Sequence, residues 1–423
     1  MSQEVLKSEL DLFKSSTFQA SIESSQLVQF RPISSIIDSS SIEFDISLLP
    51  DEYYDFQNVF LWIKGKVKKS DGSAMGDAET KKFSIINYAL NTMWEQIDIY
   101  LGNTLISQSS NTHPYRSFIE VLTSYNLLAA GTHLRSAGLD STDSLDAIDE
   151  DLNKIVDKSK EFTLYGRING DIFNSDRLLL NGVPIRIVLT KGKDAFNFLV
   201  DGDISPKLHI LDASLFIRKV KVSPTLLSAH AKALQITKAK YPIKRTEVKL
   251  INLNSGQSSF VLDNVWMGQM PSKLIFALVE HDAASGNLKS NALGFKNNGL
   301  NYLAVHINGD MYPTKAYQPD FENDNYEREY FEFFNNLGYT LSSTTPMIPF
   351  KAFKESFCLY VFNFNADFDQ PRENEYINLS REGFLNIEVH FKTNLLKNLK
   401  AVCYAQFDNI IEIDSNRNVT TDF

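Results

Sequence analysis

The sequence repeats an order of structural events rather than a string of letters, and that repeat limits the fold more than any single motif. In each half, early alternating segments lead to a glycine-turned hairpin, at Gly102 and again at Gly309, an offset of about 205 residues. A helix-like aromatic stretch follows each hairpin. Each half then closes on alternating runs, Val183-Pro184-Ile185-Arg186-Ile187 and Ile387-Glu388-Val389-His390-Phe391. Short strands separated by turn signals at regular spacing specify sandwiches or barrels. Eight strands in two packed sheets, the jelly roll, is the common solution at this size.

The individual segments carry the period-2 signature of half-buried strands. In Ile42–Leu48 the residues Ile42, Phe44, Ile46 and Leu48 alternate with polar ones. In Asn58–Lys69, Val59, Leu61, Ile63 and Val67 share one face, and Phe60, Trp62, Lys64, Lys66 and Lys68 share the other. Those lysines are expected to guard an edge strand against stray pairing. Trp94–Ile106 and Tyr302–Tyr312 read as hairpins. Thr112-His113-Pro114-Tyr115 opens a helix whose buried stripe is Phe118, Val121, Leu122 and Tyr125. A second aromatic helix carries Tyr326, Tyr330, Phe333, Phe334 and Leu337. Between residues 126 and 160 periodicity fades and acids collect (Asp140, Asp143, Asp146, Asp149, Glu150, Asp151), which predicts a long exposed excursion. Ser223-Pro224 caps a helix with Leu227, Ala231 and Leu234 that ends before Tyr241-Pro242. The expected organisation is an N-terminal arm over 1–25, a first unit over 26–222, a linker helix over 223–240 and a second unit over 241–423.

Chemistry-bearing patterns are missing. The seven histidines (113, 133, 209, 230, 281, 306, 390) form no HxH, HxxxH or HExxH spacing, as the metal-binding jelly-roll enzymes require. His281-Asp282 is expected in a solvent-facing turn. There is no GxSxG, Walker loop or strand-following GxGxxG. No catalytic, cofactor-binding or metal-ligating set is therefore expected, nor a small-molecule substrate. Cys358 and Cys403 sit in apolar runs and read as small core hydrophobes. Met1 to Phe30 lacks an apolar secretion segment and no run approaches 18 apolar residues, so the product is expected to stay inside the cell that makes it. Trp62, Trp94 and Trp266 lie in strand-like runs rather than on loops, which weighs against a carbohydrate-binding lectin or spike.

Charge has one concentration. The net charge is −10, so the chain as a whole is no nucleic-acid binder. Yet Arg218, Lys219, Lys221, Lys232, Lys238, Lys240, Lys244, Arg245 and Lys249 stand against one acid, Glu247, between residues 218 and 249. That segment either balances neighbouring acids or faces a polyanion, packaged DNA or anionic lipid, without base readout. In the Ser- and Gln-rich arm, Leu10, Leu12 and Phe13 are candidate docking residues.

Several longer stretches resemble the hexon-type major capsid proteins of adintoviruses and Polinton (Maverick) elements. They include Ser8-Glu9-Leu10-Asp11-Leu12-Phe13, Asn111-Thr112-His113-Pro114-Tyr115-Arg116 and Arg177-Leu178-Leu179-Leu180-Asn181-Gly182-Val183. Leu211-Asp212-Ala213-Ser214-Leu215-Phe216-Ile217-Arg218-Lys219-Val220, Ala229-His230-Ala231-Lys232-Ala233-Leu234 and Tyr404-Ala405-Gln406-Phe407-Asp408-Asn409-Ile410 follow in the same order. The arm lacks the family's prolines, and 126–160 matches poorly. The resemblance implies an all-β tandem double jelly roll, two eight-stranded β-sandwiches with short inserted helices. It further implies a homotrimeric, pseudo-hexagonal capsomer tiling an icosahedral shell, with capsomer–capsomer contacts and a single jelly-roll penton protein at the vertices. The expected location is the virion capsid, assembled inside the host cell, in the nucleus or cytoplasm. The basic segment is expected to face inward toward packaged DNA or an internal membrane. A domesticated host copy is the alternative within the same family.

Overall fold

The computed structural model describes residue 12 and residues 18–36, 39–47, 50–77, 79, 81–108, 110–141, 145–366 and 378–423. Its first ten strands are β1 (Ile22–Phe30), β2 (Ser41–Ile46), β3 (Glu52–Lys69), β4 (Phe83–Ile85), β5 (Trp94–Leu101), β6 (Thr104–Gln108), β7 (Glu161–Arg167), β8 (Ile185–Lys191), β9 (Phe198–Val200) and β10 (Pro206–Val222). The remainder are β11 (Ala239–Leu253), β12 (Ser259–Gln269), β13 (Lys273–Glu280), β14 (Leu300–Ile307), β15 (Asp310–Tyr317), β16 (Tyr360–Asn363), β17 (Glu382–Phe391), β18 (Leu399–Ile413) and β19 (Val419–Thr421).

Sheet order turns the sequence repeat into architecture. The first half builds β1-β10-β3-β7 and β2-β8-β5-β6, with β4 and β9 paired apart; the second builds β11-β18-β13-β16 and β12-β17-β14-β15, with β19 appended to β18. Setting aside the short extras β4, β9 and β19, each half has eight strands among the described residues. By rank along the chain, both halves then follow the same two orders: first-eighth-third-sixth and second-seventh-fourth-fifth. All named pairs are antiparallel. This is the jelly roll, made twice. Between the sheets of each half lie the alternating residues, Phe44, Leu61, Ile63, Ile99 and Ile187 in one and Leu274, Phe276, Leu303, Ile387 and Val389 in the other, all essentially buried. The β14–β15 turn holds Asn308 at φ 53° and Gly309 at φ 95°, the left-handed pair that a tight hairpin requires.

Five details depart from the sequence expectation. β1 begins at Ile22, inside the stretch expected to be arm, and zips onto β10 from Ile22–Val222 to Phe30–Leu215. Leu12 is exposed, while Leu10 and Phe13 lie outside the described residues. β3 lies between β10 and β7, so Lys64, Lys66 and Lys68 do not guard an edge. β11 runs from Ala239 through Pro242, where a break was expected; it is an edge strand, and proline's missing N–H costs no ladder bond on the open side. His281-Asp282 starts a short helix, His281–Gly286, rather than a turn.

The excursion at 126–160 is the fifth, and its described part is packed rather than exposed. Ala129, Ala130, Leu134, Ala137, Leu139, Leu145, Leu152 and Val156 are buried. The acids there do local work: Asp149 accepts from the N–H groups of Asp151 and Leu152, capping the helix Glu150–Val156. Leucines spaced among solvated acids hide from a periodicity search.

Candidate assembly surfaces

Each half inserts a helix between its fifth- and sixth-ranked strands: His113–Ser124 after β6 and Glu327–Asn336 after β15. The first is buried on every side rather than along the expected stripe, because it forms the seam between the two jelly rolls. Tyr115 meets Phe196 and Phe295 at ring distances of 6.0 and 6.4 Å, and Phe118 meets Phe295 and Phe357 at 6.2 and 6.3 Å. Such burial of each large side chain supplies about 2–3 kcal/mol against exposure.

A buried charge network lies across this seam. Arg116 donates to Asp171 (2.7 Å), Glu120 (3.0 Å) and the Ser107 hydroxyl (3.1 Å), and Asp171 also accepts the backbone N–H of Thr246 on β11 (2.9 Å). Burial pushes the Asp171 carboxyl above its usual range, against the downward pull of Arg116. Burial, with the Arg116 charge nearby, also drives His113 well below the ordinary histidine range, so His113 is neutral in the fold. Further ties join the halves. Arg417 donates to the carbonyl and side chain of Asn181 (2.6 and 2.8 Å), Asn291 donates to Leu145 O (2.8 Å), and Lys296 pairs with Asp146 (2.8 Å).

Outward faces of the equivalent sheets differ. On β13 both faces are buried, Leu274 to Val279 forming one apolar run, as expected of a strand covered on both sides. On β3, the strand of the same rank, one face stays half-exposed and carries Phe60, Trp62, Lys64, Lys66 and Lys68. Tyr165 of β7 and Phe216 of β10 join it, with Tyr165 at 5.7 Å from Phe60 and 5.9 Å from Phe216. The sequence pattern puts Phe60 and Trp62 on the face of these lysines but does not reveal the wider aromatic patch, since only sheet order brings Tyr165 and Phe216 beside Phe60.

The basic segment is split by the linker helix. Arg218, Lys219 and Lys221 lie on β10 and pair with Asp55, Glu52 and Glu23. Lys232 is exposed on the helix Pro224–Leu234, whose Ser223 cap accepts from Leu226 N–H. Lys238, one residue before β11, and Lys240 on it meet Glu412 (2.9 and 3.8 Å); further along β11, Lys244 meets Asp408 (3.2 Å) and Arg245 pairs with Glu247. Lys249 donates to Val265 O (2.7 Å) and lies over the Trp266 ring. Hydrogen bonding from Lys238 holds the Glu412 carboxyl below its usual range. Most of these cations thus neutralise acids within the chain.

Concave sites are modest. A cavity of about 510 Å³ lies under the linker helix, lined by Ile22, Leu180, Leu226, Leu234 and Tyr241, with Arg177 and Lys238 at its rim. Among the described residues no group of three or more His, Cys, Asp or Glu is arranged to hold a metal, and no helix is long and apolar enough to cross a membrane. Cys358 and Cys403 are buried and unpaired with each other, and burial pushes both thiols up to about 12.

No family model matches the chain. An uncharacterized protein of Caenorhabditis elegans is 21% identical over 350 residues, spanning 80% of this chain and 82% of that one. Among solved structures, the chain is similar to VP54 of PBCV-1, fitted into a reconstruction of the virophage Sputnik (TM-score 0.59, 12% identity, 97% of this chain and 99% of that one). It is also similar to a Sputnik virophage chain (TM-score 0.61, 10% identity, 100% and 93%) and to the mavirus major capsid protein (TM-score 0.54, 10% identity, 99% and 93%). What is shared at these identities is the fold. The described residues form a double jelly roll, the architecture shared with those chains.

Proposed function

We propose that this chain is a major capsid protein, a structural rather than enzymatic subunit that assembles with copies of itself into the icosahedral shell of a double-stranded DNA virus or virus-like transposon. The observation that carries the reading is the duplicated strand order, joined over nearly the whole chain to the fold of PBCV-1 VP54 and the mavirus major capsid protein. Two similar jelly rolls per chain let three chains supply six near-equivalent sides. A homotrimeric, pseudo-hexagonal capsomer is thus the assembling unit, with a separate single jelly-roll penton protein at the vertices.

The sequence stretches quoted above favour the Polinton and adintovirus branch, and the Caenorhabditis elegans relative favours an element resident in animal genomes, a domesticated copy included. The product belongs in the virion, assembled within the host cell. Lys232 is the residue of the basic segment best suited to meet packaged DNA or an anionic membrane, because its neighbours on β10 and β11 already face acids. The arm, with Leu10, Leu12 and Phe13, would tie neighbouring capsomers together.

Electron microscopy of the purified full-length protein tests the reading. Particles with a hexagonal outline, or closed shells, are expected; isolated single chains at every concentration would overturn it. Lys232→Glu should lower the nucleic acid or lipid content of shells without altering capsomers, and unchanged content would remove the inward-facing role.

A further inference from the structure

We infer that the aromatic–lysine face of β3, β7 and β10 is the seat for the helix Glu327–Asn336 of a second copy of this chain. The inference rests on the proposed capsid function and specifies its interface.

Its template is the seam already inside the chain. There, the helix inserted between the fifth and sixth strands of the first jelly roll packs toward the first-eighth-third-sixth sheet of the second, near Thr246 of β11 and Tyr404 of β18. The second jelly roll has a helix at the same topological position, and the first has a sheet of the same order. Within one chain these two equivalents are left over. A contact that repeats head to tail closes into a ring when its rotation allows, and it needs two different surfaces rather than one self-complementary patch.

Both leftover surfaces have the character of interface rather than of ordinary exterior. Phe331 is 56% exposed on the helix Glu327–Asn336, whereas the equivalent helix hides ten of its twelve residues. The sheet face offers half-exposed Phe60, Trp62, Tyr165 and Phe216, large rings of the kind enriched at the cores of interfaces. Charges are complementary. The helix carries the exposed Glu327 and the half-buried Glu332 against Arg328, Glu329 being buried and accepting from the Gln318 N–H, while the sheet face carries Lys64, Lys66 and Lys68, of which Lys64 already meets Glu161. An interior strand has no edge to protect, so those lysines need another reason to line one face.

Paired cysteine substitutions in the full-length chain test this. Trp62→Cys together with Phe331→Cys should, on mild oxidation, give covalent species of two and three chains. Each single variant should give far less, and the buried native Cys358 and Cys403 should give no background. In parallel, Lys66→Glu with Lys68→Glu should shift the assembled species toward single chains, and adding Glu327→Lys with Glu332→Lys should restore it. If the wild type associates but neither pair of results appears, this seat is wrong while the capsid reading stands. If the wild type never associates, both fail.

Discussion

The two inserted helices occupy the same place in their jelly rolls, yet one is swallowed and the other is displayed. His113–Ser124 keeps a histidine, an arginine and a serine dry by giving them partners or neutral form in the seam. Glu327–Asn336 buries three residues and turns Phe331 outward. The difference teaches that a duplicated fold does not duplicate environments. The first helix is covered by its own chain on nearly every side, and the second only on the side that carries Glu329, Phe333 and Asn336.

The sharpest way to break this contrast is at the buried charge. Replacing Arg116 by Met strands Asp171 and Glu120 in the seam and should cost about 3–5 kcal/mol, read from urea unfolding. Replacing Arg328, half-exposed and bonded to the carbonyls of Lys315 and Ala316, should cost no more than about 1–2 kcal/mol. Phe118→Ala should likewise cost about 3–5 kcal/mol. Phe331→Ala should leave the stability of a single chain within about 0.5 kcal/mol while weakening association. Similar losses at both helices would erase the distinction.

A smaller effect is expected from His113. Its folded pKa lies below the unfolded value near 6.5, so the unfolded chain binds the extra proton as pH falls. Its contribution is whole above pH ~6.5 and declines below it at up to about 1.4 kcal/mol per pH unit. His113→Gln should flatten that part of the stability profile. Least of all, thiol reagents should leave Cys358 and Cys403 unmodified in the folded protein, their protons held by burial.

Much of the fold could be read before any coordinates, and the failures share a cause. Period-2 segments such as β2 and the Asn58–Lys69 part of β3 announce themselves because one face is dry and the other wet. β1 did not, since most of its side chains point to solvent and backbone pairing to β10 holds it. Pro242 looked like a boundary because a sequence does not say which strand will be an edge. The seam was hidden for a related reason. Arg116 and His113 fall outside the expected stripe of Phe118, Val121, Leu122 and Tyr125, and it is Asp171 and β11, from distant sequence, that cover that side. The basic segment between Arg218 and Lys249 was legible as composition but not as geometry, because the acids that answer it, Asp55, Glu52, Asp408 and Glu412, lie far away in the chain.

The central claim is that this chain is one third of a closed, self-made unit. Native mass spectrometry of the full-length wild-type protein across a concentration series addresses it most directly. The account predicts a discrete species with the mass of three chains, persisting on dilution. A single-chain mass at every concentration, or an open ladder of sizes with no preference for three, would contradict it.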